Sequence, residues 1–155
     1  MGRPFDPARV LAKPLMANLA TVSAEGPRNA PVWFLWEDGA LWMPGSVGAS
    51  SVARIGADPR CAVEIVDFDP AVGILLHLGL RGRASLEPMD PALFRRLLAK
   101  YLGPDEAAWN AWFVENVARI EDPAGRLIRL RPDSVFTNDV SHFRTGPDYA
   151  SAGNL

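Results

Sequence analysis

An Asp-Gly pair at positions 38 and 39 separates two short apolar runs, residues 30–36 (APVWFLW) and 40–43 (ALWM). Asp and Gly tolerate the positive φ that a two-residue hairpin turn demands, and the flanking runs are rich in strand-forming side chains. The two runs are therefore expected to be antiparallel neighbours. Pro31 has no N–H to give to a ladder, so it is expected at the start of its strand. The same grammar recurs along the chain. Residues 16–22 (MANLATV) end in β-branched side chains and run into the turn cluster Ser23-Ala24-Glu25-Gly26-Pro27. Residues 60–67 (RCAVEIVD) alternate apolar and polar, and residues 68–73 read as a loop. Residues 74–86 read as one long strand with Gly79 and Gly82 inside it. Interior glycines point to a bulge, a barrel corner or a close approach. Residues 126–131 (RLIRLR) and 135–138 bring the count to six or seven short strands.

Helical signals are fewer. Ser50 or Ser51 is expected to cap a short helix through Gly56, stopped by Asp58-Pro59. Asp90-Pro91 is an N-cap followed by proline at the first helical position. Leu93, Phe94, Leu97, Leu98 and Tyr101 then fall on one face, and Gly103 ends the helix. A second helix is expected over 105–119, with Trp109, Trp112, Phe113 and Val117 as its apolar stripe. Strands about ten residues apart with turn signals between them favour a small α+β barrel, its helices packed at the openings. Residues 1–144 are expected to form a single domain, and the Gly/Ser/Asp-rich stretch 145–155 a flexible tail.

Composition narrows the chemistry. The formal net charge is −2, so no global basic field invites nucleic acid or an acidic membrane. One cysteine, Cys61, excludes an internal disulfide and a cysteine-clustered metal site. It lies in an apolar strand and reads as a small buried hydrophobe. His77 and His142 are far apart and lack metal-ligand spacing. No apolar run approaches the roughly 20 residues of a membrane helix, and no signal peptide is visible, so the cytoplasm is the expected compartment. Nucleophile elbows, zinc-protease motifs, P-loops and dinucleotide fingerprints are all missing.

Three groups of residues still carry chemical interest. Gly45, Ser46, Ser50 and Ser51 lie in a small-residue loop leading into a helix. The hydroxyls and free N–H groups of such a loop suit a phosphate, with Arg54 one turn on. A simple helix cap is the plainer alternative. His77, Arg81 and Arg83 share one parity, so an unbulged strand would show all three on one face, where an anionic ligand could meet them. Trp33 and Trp36 have opposite parity. One is expected in the core and the other at an interface or against a flat ligand.

The order of LATVSAEGPRNAPVWFLWEDGALWM, a serine-containing loop, ARIGADPRCAVEIVD and HLGLRGRASLEP resembles the FMN-binding split-barrel superfamily related to pyridoxamine 5′-phosphate oxidase. The resemblance runs from about Leu11 to Phe143 and includes LLAKYLG and RLIRLRPDSVF. It implies a mainly β fold: a six-stranded antiparallel split barrel with helices at its openings. It also implies a homodimer with FMN at the subunit interface. By resemblance, Val32, Trp33 and Phe34 run along the flavin ring. Gly45, Ser46, Ser50, Ser51 and Arg54 hold the phosphate, and His77 stands where a flavin-contacting glutamine is found. The departures are as informative. Basic residues of the true oxidases are replaced here by Pro31, Trp36, Ser50 and Ser51. Each lost charge-assisted hydrogen bond is worth roughly 1.5–3 kcal/mol. The C-terminal substrate-phosphate motif is also missing; His142-Phe143-Arg144 stands nearby in another order. The expectation is a cytoplasmic flavoprotein oxidoreductase of unassigned substrate. An F420-dependent reductase and a non-catalytic ligand-binding barrel are the alternatives.

Overall fold

The computed structural model describes residues 3–117, 120 and 122–141. The tail 145–155 and His142-Phe143-Arg144 lie outside the described residues. Seven strands form one sheet: β1 (Ala17–Ser23), β2 (Gly26–Val32), β3 (Leu35–Glu37), β4 (Ala40–Ser46), β5 (Arg60–Asp69), β6 (Ile74–Pro88) and β7 (Gly125–Asp139). Their order is β2-β1-β5-β6-β7-β4-β3, every pair for which a register is assigned is antiparallel, and the sheet does not close on itself. This is the mainly β, split-barrel architecture that the sequence implies, with seven strands in place of six. Four helices accompany it: α1 (Ala8–Leu11), α2 (Ser50–Ala57), α3 (Pro91–Leu102) and α4 (Ala111–Val117).

The extra strand has a local cause. Residues 30–36 do not form one strand. Residues 30–32 complete β2 against β1, and only residues 35–37 pair with β4. Phe34 drops into the core between them and is fully buried. A buried backbone needs partners. The Phe34 N–H donates to the Tyr101 hydroxyl at 3.0 Å, and its carbonyl accepts from the Lys100 amine at 3.2 Å. Side chains from α3 thus replace a ladder at this point. The Asp-Gly hairpin forms as expected, with φ of 53° at Asp38 and 71° at Gly39. Pro31 lies near the end of β2 rather than at the start of a strand. That strand is a sheet edge, where proline is tolerated.

β6 and β7 are 15 residues each and join both halves of the sheet. Residues 126–131 and 135–138 are therefore one strand, and β5 continues through residues expected to be a loop. The register shift falls between Arg81 and Gly82 on β6, opposite Ser134 and Pro132. The extra residue, Asp133, belongs to β7, so β6 keeps its alternation. Leu76, Leu78 and Leu80 point into the core, and His77, Arg81 and Arg83 share the outer face.

Of the expected helices, α3 forms as read. The Asp90 side chain accepts from the Leu93 N–H at 3.1 Å, and Gly103 ends the helix at φ 97°. The second does not run from 105. A single 3-10 turn (Glu106–Ala108) precedes α4, with Trp109 and Asn110 between them. Trp109 is buried and donates from Nε1 to the Gly103 carbonyl at 2.8 Å, whereas Trp112 is 61% exposed. α2 is capped by neither serine: its N-cap is Ala49, with no side-chain hydrogen bond. No helix among the described residues is long and apolar enough to cross a membrane.

Candidate functional site

The serine loop sits where β4 meets α2. An ideal Cβ on Gly45 would lie 2.7 Å from Val52 Cγ2, so only glycine lets the helix rest this closely on the strand. Ser46 is exposed and pairs with Gly125 at the start of β7. The loop backbone is fixed by the Val47 N–H donating to the Ala124 carbonyl and the Ala49 N–H donating to the Ser46 carbonyl, both at 2.9 Å. Ser50 is exposed and Ser51 half-buried in the first turn of α2, whose opening N–H groups no side chain caps. Arg54 turns toward β1, where its Nε donates to Thr21 Oγ1 at 2.7 Å.

Beside this loop, side chains of α3 and α4 together with Pro44 of β4 and Gly125 of β7 line an apolar cavity of about 460 Å³. Pro44, Trp33, Leu98 and Gly125 are among its walls. Trp33 stacks on Tyr101 at 4.4 Å and on Phe113 at 5.4 Å between ring centres. Trp36 packs against the main core instead. Trp33 lies outside both strands, in the break between β2 and β3, so strand parity does not relate it to Trp36, and it is held by rings of its own chain. Val32, at the end of β2, is half-buried against the core.

His77 belongs to a different surface. With Asn18, Asn29, Glu64 and Arg81 it lines a cleft of about 240 Å³ across β1, β2, β5 and β6. Phe136 packs edge-on against the imidazole at 5.5 Å. Exposed apolar side chains on this part of the sheet include Phe136 (46%) and Phe68 (58%). His77 pairs with Asn138, whereas Ser46 pairs with Gly125. Thirteen residues of β7 separate those two positions, or ~40 Å along the strand. One protomer therefore brings Gly45, Ser46, Ser50 and Ser51 together and leaves His77 remote from them.

Two residues that position this region escaped the motif reading. Tyr101 donates its hydroxyl to the Leu15 carbonyl at 2.7 Å while accepting from Phe34 N–H. The Lys100 amine donates to the carbonyls of Leu11 (2.9 Å) and Phe34 (3.2 Å), and sits 3.5 Å from the centre of the Phe34 ring. A signal existed: Lys100 is seven residues after Leu93, on the buried stripe of α3. Burial lowers the Lys100 amine from 10.5 to about 8. Between those values the folded protein sheds a proton that the unfolded chain keeps, so this group makes stability rise with pH over that window. Lys100→Met is expected to flatten that rise when melting temperatures are compared at pH 7.5 and pH 10. If the wild type instead loses more stability than the variant, the carbonyls and ring hold the proton and the assignment is wrong. The other lysine, Lys13, pairs with Asp67 at 2.5 Å. Cys61 is buried, which pushes its thiol up to about 11 and leaves it inert at neutral pH. Among the described residues, no three His, Cys, Asp or Glu side chains are grouped to hold a metal ion.

The family model described as pyridoxamine 5′-phosphate oxidase matches residues 8–139. The chain belongs to this family. The matched stretch spans every strand and the serine loop. The sequence matches no curated protein. Among solved structures, an F420 reductase is 25% identical at a TM-score of 0.65, covering 86% of this chain and 98% of that one. A conserved hypothetical protein of Mycobacterium tuberculosis superposes with a TM-score of 0.71 at 18% identity, covering 96% of both chains. A FAD-binding protein of Mesorhizobium loti reaches 0.58 at 16% identity, covering 86% of this chain and 91% of that one. The last two likenesses concern the fold alone.

Proposed function

We propose that the protein is a homodimeric flavoprotein oxidoreductase that holds FMN between two copies of the chain. Family membership supports a flavin-binding, oxidoreductase-like role at the coarser level. The observation that carries the finer reading is the separation of the two polar surfaces along β7. A single site using both the serine loop and the His77 face needs one from each copy.

The residues at the loop fit a phosphate. Ser46, Ser50 and Ser51 supply hydroxyls, and α2 presents N–H groups uncapped by any side chain. Arg54 donates its Nε to Thr21 and keeps its positive charge, which in this reading balances the phosphate together with Arg81 of the second copy's outer face. Val32 and Trp33 would carry the ring, with Trp33 held flat by Tyr101 and Phe113; Phe34, expected beside them, is fully buried with its N–H and carbonyl bonded to Tyr101 and Lys100 and does not reach it. Bound flavin supplies the electron chemistry. The chain's part is to orient the ring, exclude water with Trp33 and Pro44, and offer His77 as a hydrogen-bonding or proton-holding group.

A second reading replaces FMN by F420. The likeness to the F420 reductase favours it. Titration of the purified protein with FMN and with F420, followed by fluorescence, separates the two. Saturable FMN binding that weakens about tenfold in the Ser50→Ala/Ser51→Ala double variant is the expected result. Preference for F420 would move the cofactor to the second reading. No binding of either would leave a non-catalytic barrel.

A further inference from the structure

The cavity beneath α3 and α4 has a chemistry of its own. Its size, about 460 Å³, is that of a small-molecule site. Phe94, Trp112, Phe113 and Trp33 bring aromatic rings to it from three different segments. Among the described residues, the one charged side chain on its wall is Asp122, whose Oδ1 also accepts from the Ala124 N–H at 2.8 Å. Among the described residues, no lysine, arginine or histidine lines it. The cavity adjoins the serine loop at two points. Pro44 precedes Gly45, and Gly125 pairs with Ser46.

We infer that this cavity is the substrate site. Its ligand is a flat aromatic molecule that is neutral or carries a single cationic group, and bears no phosphate or carboxylate. The inference rests on the proposed flavoprotein reading only in calling the ligand a substrate. The binding itself follows from the wall. Apolar rings and a fixed ring edge recover the free energy of desolvating an aromatic body. A carboxylate at the wall favours a donor or cation and repels an anion. The described wall is apolar and offers a phosphate no basic partner, and desolvating an unpaired charge is costly.

Three probes of one shape test this with the purified full chain: 2-naphthol, 2-naphthylmethylamine and 2-naphthyl phosphate, measured by calorimetry. The naphthol and the amine are expected to bind with Kd of about 1 mM or tighter, and the phosphate at least about tenfold more weakly. Trp112→Ala, an exposed position whose loss spares the fold, is expected to weaken the naphthol by about fivefold or more. Asp122→Asn keeps Oδ1 and is expected to reduce only the preference for the amine. Equal binding of the phosphate, no binding of the naphthol, or indifference to Trp112→Ala overturns the inference. The same preparation titrated with FMN and F420 tests the other reading. Naphthol binding without cofactor binding leaves the aromatic site and removes the oxidoreductase role; the converse removes the aromatic site alone.

Discussion

A Phe136→Glu variant is expected to sediment as a monomer and to bind flavin about 30-fold or more weakly than the wild type. Phe136 stands on the outer face of β7, opposite Gly79 and edge-on to His77, and is 46% exposed in a single chain. In the proposed dimer this face is covered by the second copy. Truncating a central aromatic at an interface costs about 2 kcal/mol or more, and a carboxylate placed there must also be desolvated. The fold should be untouched, because the side chain points away from Leu78 and Leu80. Sedimentation and flavin titration of the same sample give the answer together. A variant that stays dimeric, or that turns monomeric with flavin affinity unchanged, would sink the shared site.

Leu130→Ala is expected to cost roughly 2–5 kcal/mol of stability. For a chain of this size that corresponds to a fall in melting temperature of about 5–20 °C. Leu130 is fully buried, paired across the sheet with Leu41 on one side and Ala84 on the other. It also closes on the backbone of Gly82, where an ideal Cβ would lie 3.1 Å from its Cδ1. Neither small neighbour can swell to refill the space. Thermal or urea unfolding measures the loss, and a cost under about 1 kcal/mol would mean that the barrel interior collapses around the gap.

Serine-loop residues and His77 were legible as separate polar features, because hydroxyls near a helix start and an imidazole among leucines stand out in a linear string. Their relation was not legible. Only the pairing of Ser46 with Gly125 and of His77 with Asn138 puts a strand's length between them. Nothing in sequence announces that Arg54 also donates to Thr21, thirty-three positions earlier.

Local rules therefore determined what local forces control. Asp38-Gly39 set the hairpin through backbone φ, Asp90-Pro91 and Gly103 set the ends of α3, and alternation put His77, Arg81 and Arg83 on one face of β6. Tertiary structure alone decided the break at Phe34, since the side chains of Lys100 and Tyr101 reach from a distant helix to satisfy that residue's backbone. It also moved the bulge to Asp133 on β7, where two long strands had to stay in register past the close-packed Gly82. And it gathered Trp33, Pro44, Phe94 and Trp112 around one cavity, because burial is a property of surfaces that meet, and these four belong to segments that neighbour one another only once the sheet is formed.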